Sequence, residues 1–493
     1  MRPTPQQAHS TPWWRQRMVW AAFVAALALR LVLAFAVNHT ITDGLEIGYL
    51  QGALSMASGQ GLLQFTEDAV GTQRPDRAAL ARQAAGGRVD AAHPNPVSAR
   101  GFVPATLHPP GYSLMLWGFY EIGNFDGMLR LMRIASALLD ASVCVLLFVF
   151  VRNVIGLAPA LVSAWVWVFL PTPLLLMLTF KPDAFVCFFT ALILALASSA
   201  RSGRAVAWAA TGAAVGLAFY FRPEFLAWPA LLFVCAWIDS GRLWRSVAGA
   251  VVMGIAALAL LSPWMLWTSH AVGRPMLGTS SAGGSMYEAL GEIPANPWGV
   301  TLDDGWVEQD ARSRGFSSAW SPEADVFYRK LYWRCVREHP GFWLRNIAIN
   351  RLPLALVPAY EPPERDWRFF SDYRLREGLT RWQVVMKHPG AVLRHKGPAI
   401  LTALLSGLLV VAMLAAAVIE RRRWRRVAWL VLPWLFVVAT MSLVKQIEPR
   451  NVAGTLVVLA AAAGVVVERF LARPRREPGT RPARSSPTTL GEA

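Results

Sequence analysis

Apolar stretches of about 20 residues recur along this chain, and a helix of that length spans the roughly 30 Å hydrocarbon layer of a bilayer. They fall near 18–37, 128–151, 154–174, 184–200, 205–221, 223–238, 246–268, 398–419, 427–444 and 451–470, about ten in all. Only 16% of the 493 residues are charged, against roughly 25% in soluble domains. The expected fold is therefore an all-α polytopic membrane protein, with short interfacial helices in its first outward loop and a long outward loop region. The first span contains "AFA" at 34–36, which looks like a signal-peptidase site, but its length and Arg30 favour an uncleaved anchor.

The formal net charge of +17 would suggest nucleic acid in a soluble protein. Here the basic residues sit in short inter-span loops: Arg15, Arg17, Arg152, Arg201, Arg204, Arg242, Arg245, "ERRRWRR" at 420–426 and the tail. Under the positive-inside rule that side is cytoplasmic and holds both termini, and no nucleic acid partner is expected. The reading divides the chain into a cytoplasmic N-terminus (1–17), an N-terminal transmembrane module (18–268) containing the outward loop 38–127, a long outward region (269–397), C-terminal spans (398–470) and a basic, disordered tail (471–493). Cys144, Cys187 and Cys235 fall inside spans and Cys335 stands alone in the outward region, so no disulfide framework is expected. The scattered histidines imply no metal and no cofactor.

Ionisable residues at unusual depths carry the functional signal. Arg30 and Asp140 each lie about 12 residues from the cytoplasmic end of a span, roughly 18 Å deep, and are expected to form a structural ion pair. At the outward ends of three other spans, "FKPDA" (180–184), "YFRPEF" (220–225) and "KQIEPRN" (445–451) supply Lys181, Arg222 and Arg450 at the depth of a lipid phosphate. Anchoring of helices at the interface is the plain alternative. Asp183 and Glu224 are read as partners of the neighbouring cations. In "ITDGLEIGYLQGALSMASGQGLL" (41–63) two acids, Asp43 and Glu46, follow directly on the first span. They read either as a helix cap with a first-turn acid or as chemistry. The helix after them is expected to lay Tyr49, Ala53, Leu54 and Met56 on the bilayer. "HPPGYSLMLWGFYEIGN" (108–124) is too short to cross and reads as a re-entrant or interfacial helix. Charges in the outward region, such as "DDGWVEQDARSR", read as a solvated face.

The order of these motifs resembles the GT-C superfamily of membrane glycosyltransferases. They run from an arginine in the first span and an acid ahead of a Tyr, through "HPPGY", "KPD" and "GLAFYFRPE", to "SPW" ending the seventh span. The bacterial members similar to protein O-mannosyltransferases and aminoarabinose transferases (glycosyltransferase family 39-like) come nearest. The resemblance implies a bacterial inner-membrane enzyme that takes a sugar from a polyprenyl-phosphate donor. The sugar would pass to a lipid, glycan or protein acceptor on the outer, periplasmic face, by inverting single displacement. Glu46 or Asp43 would accept the proton, because the position four ahead of the Tyr where the family has its base is Leu45 here. Lys181, Arg222 and Arg450 would hold the leaving phosphate, while Tyr49, His108 and Tyr112 would line the donor or acceptor site. A flippase of lipid-linked sugars and a non-catalytic membrane scaffold are the competing classes. The first needs a polar path through several spans, and only Arg30 and Asp140 are present for it.

Overall fold

The computed structural model describes residues 17–37, 44–57, 59, 61–65, 102–104, 106–201, 203–276, 278–293, 296–358, 360, 381–444 and 449–472. Asp43, the expected short helix near 76–85, the run 361–370 and the basic tail lie outside the described residues.

Each expected span coincides with a helix. Helix α1 is Arg17–Ala36 and is followed by the short α2 (Gly44–Ala57). Next come α3 (Gly111–Val154), α4 (Leu157–Phe169), α5 (Asp183–Ala200), α6 (Ala205–Phe219), α7 (Trp228–Ser240) and α8 (Leu243–Val272). In the outward region lie α9 (Asp304–Ser313) and α10 (Pro322–Glu338). The chain returns through α11 (Pro389–Ile419), α12 (Trp424–Val444) and α13 (Thr455–Leu471). Among the described residues the departure from an all-α chain is a two-stranded antiparallel ribbon, β1 (Leu63–Phe65) against β2 (Phe102–Pro104), with Gln64 opposite Val103.

Among the described residues, six helices are long and apolar enough to cross a membrane: Arg17–Ala36, Gly111–Val154, Asp183–Ala200, Leu243–Val272, Pro389–Ile419 and Arg421–Leu443. The remaining spans are shorter than expected. Helices α4 and α7 have 13 residues each, or about 20 Å at 1.5 Å per residue. Proline explains where they stop, since it lacks the N–H that a continuing helix needs. The helix Pro171–Leu176 follows α4, and the 3-10 turns Pro223–Ala227 and Pro449–Val452 precede α7 and α13. Irregular backbone at membrane depth is tolerated where other protein covers it. Helix α13 shows how complete that cover is, since every residue from Thr455 to Val465 is buried. Its small residues let neighbours close in: a Cβ on Gly464 would fall 2.0 Å from the Ser163 Oγ of α4.

Three local expectations change. The α2 side chains Tyr49, Ala53 and Leu54 are buried in protein instead of lying on the bilayer. The reason is that α2 packs on α3, where the Ser113 Oγ donates to the Tyr49 carbonyl at 2.9 Å. "SPW" does not end its span, because α8 continues through Pro263 to Val272. In the outward region the acids of α9 are only partly solvated: Glu308 is buried and accepts from the Ala319 N–H at 2.8 Å and the Ser318 Oγ at 3.1 Å. The helical stretch 108–124 forms as expected. It is the first arm of α3, broken from the membrane arm at Gly123 and Asn124, where Asn124 takes φ 55°.

The outward region has its own core, which includes Tyr287, Leu290, Val307, Tyr328 and Tyr332, and it is fastened to the outward end of α12. The Tyr332 hydroxyl donates to the Leu443 carbonyl at 2.9 Å and accepts from the Trp343 indole at 2.8 Å. Arg351, fully buried, reaches the Ser442 carbonyl at 3.4 Å while its other nitrogens bind Glu292 and the Ala289 carbonyl at 2.6 Å. These bonds satisfy carbonyls that a helix end leaves unpaired.

Deep in the bundle Arg30 and Asp140 are paired, both buried. The remaining Arg30 donors reach the carbonyls of Ala26, Trp167 and Val168 at 3.2–3.4 Å, and the Trp167 indole donates to the Asp140 carbonyl at 3.0 Å. Removing one member of a buried pair strands the other charge. Arg30→Met is therefore expected to destabilise the protein by about 3–5 kcal/mol, and the double variant Arg30→Met/Asp140→Leu is expected to recover most of the loss. Thermal unfolding in detergent checks both; equal losses in the single and double variants would contradict an ion-pair role.

Candidate functional site at the outward end of the bundle

Three junctions meet at one end of the bundle, the end expected to face outward, and each sets a cation beside a proline: Lys181–Pro182, Arg222–Pro223 and Pro449–Arg450. The arrangement follows from backbone chemistry, since proline ends or starts a helix there and the adjoining residue is left at the bundle's rim. Arg222 is the best defined. Its Nη2 donates to the Asp183 carboxylate at 2.5 Å, its Nη1 to the Asn451 side chain at 3.3 Å, and its Nε lies 4.0 Å from Glu224. That Nε is buried and has no hydrogen-bond partner among the described residues. Against the opposing pull of burial, Glu224 and Asp183 raise the guanidinium's pKa and keep it charged. Glu224 thus partners its neighbouring cation as expected, and Asp183 partners Arg222, across from the next junction.

Opposite the cations lies an aromatic wall built by α2 and the first arm of α3. Tyr49 stacks at a tilt on His108, centroids 5.1 Å apart, and meets Tyr112 edge-on at 5.0 Å. Tyr112 in turn meets Phe185, which stacks on Phe221. The α3 arm is held by Gly111, whose N–H donates to the Tyr220 carbonyl at 2.7 Å. A Cβ at Gly111 would collide with that oxygen at 2.6 Å. Tyr49 is buried, which pushes its phenol up to about 12 against the lowering influence of Arg222 and Arg450. The Tyr112 phenol is raised well above its ordinary value by burial, then by Glu46, Tyr49 and Asp183. Its hydroxyl has no hydrogen-bond partner among the described residues.

Glu46 lies in the first turn of α2 and is buried. Its carboxylate accepts the backbone N–H of Phe180 at 3.0 Å, a contact 134 residues away in sequence that a local helix cap does not require. It therefore ties the first outward helix to the junction carrying Lys181, which is half-buried. The structure thus gathers Glu46, Tyr49, His108, Tyr112, Arg222 and Arg450 at one end of the bundle. Lys181 borders the group without being among the charges that act on Tyr49 or Tyr112. Arg30 and Asp140 stand apart from it, in the bundle interior.

Three features escape the sequence reading. Asn451 bonds Arg222, Thr106 bonds Ser280 through both side chain (3.1 Å) and backbone (2.9 Å), and Tyr360 is buried near Asp183 and Arg222. Burial raises the Tyr360 phenol well above its ordinary value. Asn451 was legible as the neighbour of Arg450; nothing in "VPAY" marks Tyr360. Among the described residues no group of three or more His, Cys, Asp and Glu could hold a metal ion.

Residues 107–267 match the family model for dolichyl-phosphate-mannose-protein mannosyltransferases, a stretch of about a third of the chain. With it, the resemblance to GT-C superfamily membrane glycosyltransferases stands on a family match as well as on the order of short motifs. Among solved structures, the oligosaccharyltransferase AglB of Archaeoglobus fulgidus, in complex with an inhibitory peptide and a dolichol-phosphate, is 13% identical with a TM-score of 0.46. That likeness covers 92% of this chain and 51% of the archaeal one. ArnT from Cupriavidus metallidurans bound to undecaprenyl phosphate is 15% identical with a TM-score of 0.35, covering 93% of this chain and 77% of that one. This chain thus spans about half the length of the archaeal structures it matches. A comparison with curated proteins finds no match.

The buried phenol yields a pH prediction. Folding holds Tyr49 neutral to about pH 12, whereas the unfolded chain ionises near its ordinary 10.0. Its contribution is therefore complete below pH 10 and is lost as pH rises to 12. A shift of about two units corresponds to roughly 2–3 kcal/mol. Tyr49→Phe is expected to flatten the fall in unfolding midpoint between pH 10 and 12; identical slopes in the two proteins would show that Tyr49 ionises freely when folded.

Proposed function

We propose that this chain is a membrane glycosyltransferase that moves a sugar from a polyprenyl-phosphate donor to a glycolipid, polysaccharide or protein acceptor at the outer face of a bacterial inner membrane. The observation that carries the reading is the buried Arg222 held next to a largely apolar pocket. Val186, Phe225, Trp228, Phe436, Val437 and Met441 line that pocket together with Thr190 and Thr440, and its lining includes Glu224 and Asn451, both of which contact Arg222. An isoprenoid chain suits the apolar walls and a phosphate suits the guanidinium. The matched family's description, a transferase using a dolichyl-phosphate sugar, supports the same donor chemistry.

In this reading the acceptor hydroxyl attacks the anomeric carbon, Glu46 takes its proton, and the bond from that carbon to the phosphate oxygen breaks with inversion. The departing phosphate gains negative charge. Arg222, with its unpartnered Nε, meets that charge together with Arg450, and Lys181 adds to the field from the rim. Asp183 and Asn451 hold the guanidinium plane, so little reorganisation is needed at the moment of transfer. Tyr49 and His108 supply a flat wall for the sugar, and the orphan Tyr112 hydroxyl has a hydrogen bond to give to it. Asp43 is the alternative base, with Glu46 then fixing the Phe180–Lys181 junction.

The test is transfer of radiolabelled sugar from polyprenyl-phosphate donors in membranes holding wild type, Glu46→Gln, Asp43→Asn or Arg222→Gln. Loss of at least a hundredfold in kcat for one acid variant, with donor binding retained, identifies the base. Arg222→Gln is expected to weaken both donor binding and turnover. Full activity in both acid variants would sink the mechanism and return the chain to a flippase or scaffold.

A further inference from the structure

At the end of the bundle opposite the candidate site, the arginines divide into two sets. One set is matched by acids. Arg201 forks onto Asp239 at 2.5 and 2.9 Å, and Glu420, itself buried, receives Arg469 at 2.6 Å and Arg423 at 3.5 Å. The other set, Arg204, Arg242, Arg245, Arg421, Arg422, Arg425 and Arg426, is exposed and has no ion-pair partner among the described residues.

Four of the unmatched arginines converge from three different turns. The Arg245 guanidinium lies across Gly203, 3.5 Å from where a Cβ would stand, and the Arg425 Nη1 lies 3.8 Å from the same point on Gly241. Both glycines have positive φ, 82° and 65°, a conformation that a side chain resists. The bare turns therefore leave room for guanidinium planes to lie over them. Arg204 adjoins the first turn and Arg242 the second, whose backbone is set by the Ser240 Oγ accepting the Arg242 N–H at 3.1 Å. Beside the cluster Trp244 is 81% exposed, Trp424 57% and Val206 81%. Large apolar side chains bordering cations at helix ends mark the headgroup level of a bilayer.

We propose that Arg204, Arg242, Arg245 and Arg425 form a seat for the phosphate headgroup of an anionic membrane phospholipid, with Trp244 and Trp424 against its glycerol and upper acyl chains. Uncompensated charge from several arginines matches a phosphodiester, and the leaflet facing positively charged loops is the one with the anionic surface. The exposed apolar residues alongside select a lipid over a soluble phosphate or a nucleic acid. The seat is independent of the transferase reading and lies at the other end of every helix that reaches it.

The test uses the full chain in nanodiscs containing phosphatidylcholine and phosphatidylglycerol, with co-purifying lipids counted by native mass spectrometry. Wild type is expected to retain phosphatidylglycerol at least threefold over its bulk proportion. Arg242→Gln/Arg245→Gln/Arg425→Gln is expected to lose that enrichment, and Arg421→Gln/Arg422→Gln, outside the convergent set, is expected to keep it. If the triple variant does not fold, Arg425→Gln alone is expected to lower the enrichment by half or more. No enrichment in wild type, equal enrichment in the triple variant, or displacement of the lipid by inorganic phosphate or a short RNA would each overturn the proposal.

Discussion

In hydrocarbon a peptide group has no water to turn to, so the chain must satisfy its own N–H and C=O groups as it crosses. The long helices obey this directly. The short ones, α4, α7 and α13, end early at proline-marked breaks, and α13 is covered by its neighbours from Thr455 to Val465. Apart from the Arg30–Asp140 pair, charged groups gather where helices break. Proline marks several of those breaks, and at three of them, Pro182, Pro223 and Pro449, the neighbouring residue is a cation. A site at a membrane surface thus needs no dedicated domain; it needs several helices that stop at one level.

Much of this was visible in the residues themselves. Hydropathy located the spans, proline located the junctions, and "KPD", "RPE" and "EPR" named the cations before any fold was known. The burial of Arg30 with Asp140 followed from depth alone, since two lone opposite charges at equal depth have few other stable outcomes. What could not be read was orientation about a helix axis. The apolar side chains of α2 suit a lipid surface and a protein surface equally, because both are dry. Only the packing of α2 on α3 turns Tyr49 toward His108. Pairings across long sequence separations were equally hidden. Asp183 stands two residues from Lys181 yet pairs with Arg222, because the start of α5 faces the end of α6.

Among the described residues gathered at the candidate site the charges balance: Lys181, Arg222 and Arg450 stand against Glu46, Asp183 and Glu224. A site with a large unbalanced positive field would hold a doubly charged leaving group tightly and release it slowly. A balanced one offers oriented donors with little net field, which favours charge that appears during a reaction over charge already present. Asp183 and Glu224, by holding Arg222, set how much of its charge is left over for any other partner.

The bonds from Tyr332 and Arg351 to the last carbonyls of α12 have a further consequence. Helix ends ordinarily fray, and fraying would let the outward region and the membrane bundle open separately. Here the carbonyls that would fray first are claimed by side chains from the other unit's core. Local opening at the end of α12 would therefore have to break contacts made by the core of the 278–358 region, so the two are coupled through those side-chain bonds.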